Sequence, residues 1–147
     1  MIEKILKCGI DEMSYIKEAI TNVKGEEDLC FFSEAAIEKF LSSGDNWFYV
    51  ATVDDKPVAY AIAYVQRRLD TTKNMICLYE IGTLKCYRKM GIAKRIIEKI
   101  IEDGQLHEVM KIWIPTNISN EAACALYRSI GAEEPEVKDE IIYSYRY

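Results

Sequence analysis

Residues 79–103 read YEIGTLKCYRKMGIAKRIIEKIIED, the end of a strand, a short turn and an amphipathic helix in direct succession. No other stretch narrows the fold as much. Ile92, Ile96, Ile97, Ile100 and Ile101 recur at helical spacing, with Lys94, Arg95, Glu98 and Lys99 on the opposite side. The spacing predicts a helix over Gly91–Asp103, ended by Gly104. Upstream, Met75–Thr83 reads as a strand in which Ile76, Leu78, Glu80 and Gly82 share a face by period two. Downstream, Val109–Ile114 reads as a strand stopped at Pro115. Together these three elements form a strand–helix–strand crossover.

The rest of the chain must fit around that crossover. Ile2–Lys7 reads as a strand, and Asp11 can cap a helix over Glu12–Thr21. Asn22–Asp28 reads as a polar connection. Ser33 can cap a second helix bearing Ala36, Ile37, Phe40 and Leu41. Trp47–Val53 and Val58–Val65 read as a hairpin of apolar strands, the first of them central, joined through Asp54-Asp55-Lys56-Pro57. Gln66–Asn74 reads as a loop. Asn120–Ile130 reads as a helix closed by Gly131, and Ala132–Tyr147 as two strands around Pro135–Asp139. The order β-α-α-β-β-β-α-β-α-β-β implies one α/β (α+β) domain over residues 1–147.

Composition removes several function classes. With a net charge of −5 and a pI near 5.0, the chain lacks the basic surface that nucleic acid requires. No stretch reaches the roughly 18 apolar residues of a membrane span, and no secretory leader opens the sequence. The five cysteines, at 8, 30, 77, 86 and 124, include no C-x-x-C pair, which suits free thiols in a reducing cytoplasm. The one histidine, His107, has no ligand partner at metal spacing, so no metal site is expected.

The turn at Arg88-Lys89-Met90-Gly91-Ile92-Ala93 fits R-x-x-G-x-A. Gly91 and Ala93 let a ligand approach the backbone, and the first N–H groups of a helix have no helical acceptor, so they suit an anion. Lys89, Lys94 and Arg95 oppose the helix dipole there, as anion binding would favour. There is neither a G-x-x-x-x-G-K-[ST] nor a G-x-G-x-x-G run. Downstream, Asn120 to Gly131 fits N-x-x-A-x-x-L-Y-x-x-x-G.

With both motifs at this separation, the sequence resembles the GNAT superfamily of acetyl-CoA-dependent N-acetyltransferases, well over Trp47 to Gly131 and in element order throughout. The resemblance implies a mixed, mostly antiparallel central sheet flanked by four helices. Acetyl-CoA would be co-substrate, with no metal. It implies that Ile81 and Thr83 pair with the pantetheine arm and that amides of Arg88, Lys89, Met90, Gly91, Ile92, Ala93 and Lys94 hold the pyrophosphate. Asn120 would contact the pantetheine region, and Tyr127 would face the thioester sulfur. Ala132 stands where the family commonly has phenylalanine. Within the superfamily, YEIGT followed by RKMGIA is similar to the aminoglycoside 3-N-acetyltransferases.

The chemistry asks for a base, because an alkyl amine of pKa ~10 is only about one part in a thousand neutral at pH 7. Glu80, expected as a lone carboxylate among apolar neighbours, is the candidate, acting directly or through one water. Tyr127 is expected to donate a hydrogen bond or a proton to the leaving thiolate. Cys86 and Cys124 have no histidine beside them and are read as bystanders. The acceptor is read as an aminoglycoside or another small cationic amine, between walls formed by Glu26-Glu27-Asp28 and Gln66–Asn74. A protein or peptide acetyltransferase and a non-catalytic acyl-CoA sensor are the alternatives. The Tyr143, Tyr145 and Tyr147 face is a candidate homodimer surface.

Overall fold

The structure, a computed structural model of the chain, describes residues 3–25 and 32–147. The acidic wall expected at Glu26-Glu27-Asp28 lies outside the described residues, as does Cys30. The contacts divide the chain into two units, Met1–Pro115 and Thr116–Tyr147, taken in turn.

The first unit is a five-stranded sheet in the order β1-β2-β3-β4-β5, with three helices. The strands are β1 (Glu3–Cys8), β2 (Asn46–Val53), β3 (Lys56–Gln66), β4 (Asn74–Thr83) and β5 (Val109–Trp113). The helices are α1 (Met13–Lys24), α2 (Glu34–Leu41) and α3 (Ile92–Leu106). Strands β1 to β4 pair antiparallel in sequence order, and β5 alone runs parallel, beside β4. The β2–β3 hairpin closes on Asp54-Asp55, both at positive φ (49° and 63°), the two-residue turn whose twist matches its strands. The mixed, mostly antiparallel sheet is as expected.

Each face of the sheet is covered. Phe48, Val50 and Tyr60 pack with Cys8, Ile16, Ala19 and Ile37, so α1 and α2 lie on this face. The opposite face carries Tyr49, Ala61, Ala63 and Ile76 and receives the Ile92, Ile96, Ile97 and Ile100 stripe of α3. Full burial of each of these isoleucines contributes roughly 1.5–3 kcal/mol, so the stripe anchors α3 firmly.

Two helix ends differ from expectation, each because packing overrides a local stop. Helix α1 continues through Val23, which packs against the α1-face core, and ends at Lys24 rather than Thr21. Helix α3 passes through Gly104 to Leu106. Gly104 is a close-approach glycine there, since a Cβ would sit 3.4 Å from Ile76 Cδ1 and 3.5 Å from Val109 Cβ.

The second unit contains α4 (Glu121–Ser129). Asn120 Oδ1 caps it by accepting from Ala123 N–H at 3.2 Å. At the other end, Gly131 N–H donates to Arg128 C=O and Ala132 N–H to Tyr127 C=O, the paired bonds of a Schellman closure. The two strands expected over Ala132–Tyr147 are not formed: among the described residues this segment holds neither helix nor strand, and Ile141, Ile142, Tyr143, Tyr145 and Tyr147 are exposed. Alternation supplies a candidate face, but an isolated two-stranded hairpin is marginal in water without a third strand or a helix to bury against.

Candidate active site

The first unit's site is built by an irregularity in β4. Ala63 pairs with Leu78 and Ile62 with Glu80, so Tyr79 is an extra residue without a partner. A bulge of this kind reverses the facing of everything beyond it. Ile76 and Leu78 therefore face α3, whereas Glu80 and Gly82 share the α1 face with Tyr60 and Ile62. The expected common face for Ile76, Leu78, Glu80 and Gly82 is corrected accordingly, because period two does not survive an inserted residue.

Nor is Glu80 a lone carboxylate. Its Oε1 accepts a hydrogen bond from the Tyr60 hydroxyl and lies 2.7 Å from Lys24 Nζ. Tyr60 is buried and held by stacking on Phe48, ring centroids 5.5 Å apart. The Glu80 side chain keeps 26% of its exposure and that of Lys24 40%, so solvent reaches the pair. Sequence reasoning missed Lys24 by ending α1 too early. The recurrence Ile16, Ala19, Ile20, Val23 carries the helical period through it. Tyr64 and Tyr79 meet edge to face at 5.6 Å beside this cluster, and burial, first among the causes, raises the Tyr64 phenol.

Strand β5 pairs with β4 only from Asn74 to Cys77. On that side, residues 78–83 have no ladder partner among the described residues of the sheet. Ile81 and Thr83 thus lie on an open stretch of backbone, which an extended ligand could join as a strand does. Beyond it a 3₁₀ turn, Lys85–Tyr87, leads to Arg88, whose Nε donates to Thr83 C=O at 3.0 Å and braces the loop. Lys89 and Gly91 both take positive φ, 61° and 79°. The first helical bond of α3 runs from Arg95 N–H to Gly91 C=O at 3.1 Å, so the amides of Ile92, Ala93 and Lys94 lie ahead of it. A left-handed Gly91 at a helix start, with Arg88, Lys89 and Lys94 nearby, fits a diphosphate in charge and donor type. Arg95 departs from expectation. Its guanidinium pairs with Glu3 and donates to Met90 C=O at 3.1 Å, so its charge is committed elsewhere.

In the second unit, Tyr127 is half-buried on α4, and burial, with the neighbouring Cys124 adding to it, raises its phenol above the usual range. Asn120 spends its side-chain oxygen on capping α4. Cys86 and Cys124 are free thiols, exposed and half-buried respectively. No group of three or more His, Cys, Asp or Glu side chains among the described residues is placed to hold a metal ion. No helix among them is long and apolar enough to cross a membrane.

The first unit thus offers a sheet that opens beside β4 and a phosphate-type turn leading into α3, and the second an asparagine-capped α4. Residues 15–132 match the Acetyltransferase (GNAT) family, and the chain belongs to it. It is 30% identical over 87 residues to the [ribosomal protein bS18]-alanine N-acetyltransferase of Salmonella typhimurium, covering 59% of this chain and 55% of that one. To the Escherichia coli (strain K12) protein of the same name it is 30% identical over 104 residues, covering 69% and 66%. The chain thus spans between half and two thirds of these relatives' lengths. An aminoglycoside acetyltransferase from an uncultured soil metagenomic sample, in complex with sisomicin, superposes with a TM-score of 0.85 at 15% identity, covering 99% of this chain and 95% of that one. An aminoglycoside N-acetyltransferase in complex with CoA superposes at 0.79 and 16%, covering 99% and 95%. These two likenesses establish the fold.

Proposed function

We propose that residues 1–147 act as one cytoplasmic acetyltransferase domain that acetylates the amino terminus of a peptide or protein, with acetyl-CoA as donor. The observation that carries the acceptor class is the 30% identity to ribosomal-protein-alanine N-acetyltransferases. The aminoglycoside enzymes resemble the chain in fold, at 15% and 16% identity. The small cationic amine expected from sequence thus gives way to a peptide α-amine.

Acetyl-CoA supplies an acetyl group already activated as a thioester. On this reading the amides from Arg88 to Lys94 receive its diphosphate, and the backbone of Ile81 and Thr83 receives its extended arm. Glu80 takes the proton of the acceptor nitrogen, directly or through a water. Direct attack by that nitrogen needs no covalent enzyme intermediate. Tyr127 and Asn120 enter through their places in the N-x-x-A-x-x-L-Y-x-x-x-G helix. Asn120 serves the pantetheine region through whatever its cap leaves free. Tyr127 donates a hydrogen bond to the departing sulfur. Its phenol, raised by burial, would give a proton uphill to a thiolate whose thiol has pKa ~8.5.

The experiment is release of CoA thiol from acetyl-CoA against three acceptors: a short alanine-initiated peptide, sisomicin and a polyamine. Turnover with the peptide is expected. Turnover confined to sisomicin or the polyamine would return the acceptor to a small cation. CoA binding without turnover on any of them would leave a sensor.

A further inference from the structure

We propose that Lys24 determines which amines the site accepts: by neutralising Glu80, it withholds from a predominantly protonated amine the attraction that a lone carboxylate would give. This rests on the reading of Glu80 as the group that takes the acceptor's proton.

The geometry supports a selective role. Lys24 is the last residue of α1, and its ammonium sits 2.7 Å from Glu80 Oε1. The Tyr60 hydroxyl donates to the same oxygen. Tyr60 and Lys24 both address Oε1, and the Glu80 side chain keeps 26% of its exposure, so solvent reaches the carboxylate with Lys24 in place. Lys24 from α1 and Tyr60 from β3 contact the carboxylate, and of these two Lys24 brings the positive charge; Tyr64 and Tyr79 pair edge to face nearby. Both members of the pair are partly exposed, which places them where an incoming ligand meets them.

The consequence follows from amine chemistry. At pH 7 about a tenth of an α-amino group of pKa ~7.8 is neutral, against about one part in a few thousand of a lysine-like amine of pKa ~10.4. A bare carboxylate binds the ammonium form of either and thereby rewards the unreactive species. A carboxylate already paired with Lys24 gives little such reward and adds like-charge repulsion, so the neutral fraction decides. The α-amine then has the advantage. A lysine placed only to complement the negative end of α1 would be indifferent to what binds Glu80.

The test compares choline with its uncharged isostere 3,3-dimethyl-1-butanol, titrated without acetyl-CoA and followed by NMR at the Tyr79 and Glu80 amides. The proteins are wild type, Lys24→Met and Lys24→Arg. The wild type is expected to bind choline no better than the isostere. Lys24→Met should shift the ratio toward choline by about fivefold to tenfold, and Lys24→Arg should keep the wild-type ratio. An unmoved ratio in Lys24→Met, equal shifts in both variants, or no choline binding by Lys24→Met would overturn the proposal. Because no acetyl transfer is read, failure of the acetyltransferase reading shows separately, as absence of thiol release from a protein whose choline ratio still responds to Lys24→Met.

Discussion

The two faces of the sheet carry the same three groups, a tyrosine hydroxyl, a carboxylate and a lysine ammonium, in opposite circumstances. On the α3 face Tyr49 donates to Asp103 at 2.7 Å, and Lys99 Nζ lies 3.1 Å from the other oxygen of that carboxylate. Tyr49 is fully buried, and Lys99 and Asp103 sit one turn apart on one helix. Burial, with the Asp103 carboxylate beside it, pushes the Tyr49 phenol far above its ordinary value. On the α1 face Tyr60, Glu80 and Lys24 come from three different elements, and the carboxylate emerges from a bulge toward solvent. Burial and local origin make the first trio a structural bond between α3 and β2. Exposure and convergence leave the second available for chemistry.

The largest effect expected from this contrast is on Glu80. Glu80→Gln should lower kcat/KM for the peptide acceptor by about 10²–10³-fold, with a melting temperature close to wild type, because amide and carboxylate are isosteric and the site is partly wet. A rate within threefold of wild type across pH 6–9 would remove Glu80 from the base role. The loss should shrink for acceptors whose amine is already largely neutral.

The α3-face trio should respond in the opposite sense. Asp103→Ala leaves the Tyr49 hydroxyl buried without its acceptor, which costs about 2–3 kcal/mol and should appear as a lower midpoint in urea. Acetyl-CoA should still raise the melting temperature of the variant, since the α3 start lies about three turns away at Ile92. Unchanged stability in Asp103→Ala would mean that the two trios are not different in kind.

How much of this was legible in the sequence depends on the range over which each feature is decided. The α3 stripe, the β2–β3 hairpin and the turn at Arg88–Ala93 are local patterns, and they appear where the periodicity places them. Glu80 was identified as a candidate, but its surroundings were not. Its facing depends on a register shift against β3, and no period within β4 contains that information. Lys24 was hidden because Asn22 and Gly25 resemble a helix stop, while Val23 draws the helix on into the core. At residues 132–147 alternation alone was over-read, since a strand also needs a partner. Arg95 looked like part of the anion site, and it is the distant Glu3 that claims it.

Tyr127 lies in the second unit, and among the described residues no carboxylate is hydrogen-bonded to its hydroxyl, so its proposed role as a donor to sulfur is tested on its own. Tyr127→Phe should lower kcat about tenfold, one hydrogen bond's worth of about 1.4 kcal/mol. Its phenol is raised by burial, so it stays protonated through the working range. The fall should therefore be uniform from pH 6 to 9. A variant whose pH–rate profile also loses its basic limb would make Tyr127 an acid rather than a hydrogen-bond donor.

The smallest effect concerns acid stability and belongs to Asp103. Burial by itself would push this carboxyl up, but the hydrogen bonds from Tyr49 and Lys99 and the positive charge of Lys99 outweigh it, and the folded-state pKa lies below the ordinary value. The unfolded state therefore binds the proton more readily. The contribution is fully present above the unfolded pKa of ~3.9 and is lost as pH falls through the lower folded value. Comparing wild type with Asp103→Asn by urea unfolding, the stability gap should be level from pH 7 to about 5 and narrow as the pH falls below ~4. A gap that widens on acidification would reverse the sign of the shift. It would also mean that the buried carboxylate is held at a cost to the fold, so that the α3-face trio would no longer serve as the structural counterpart of Glu80, Tyr60 and Lys24.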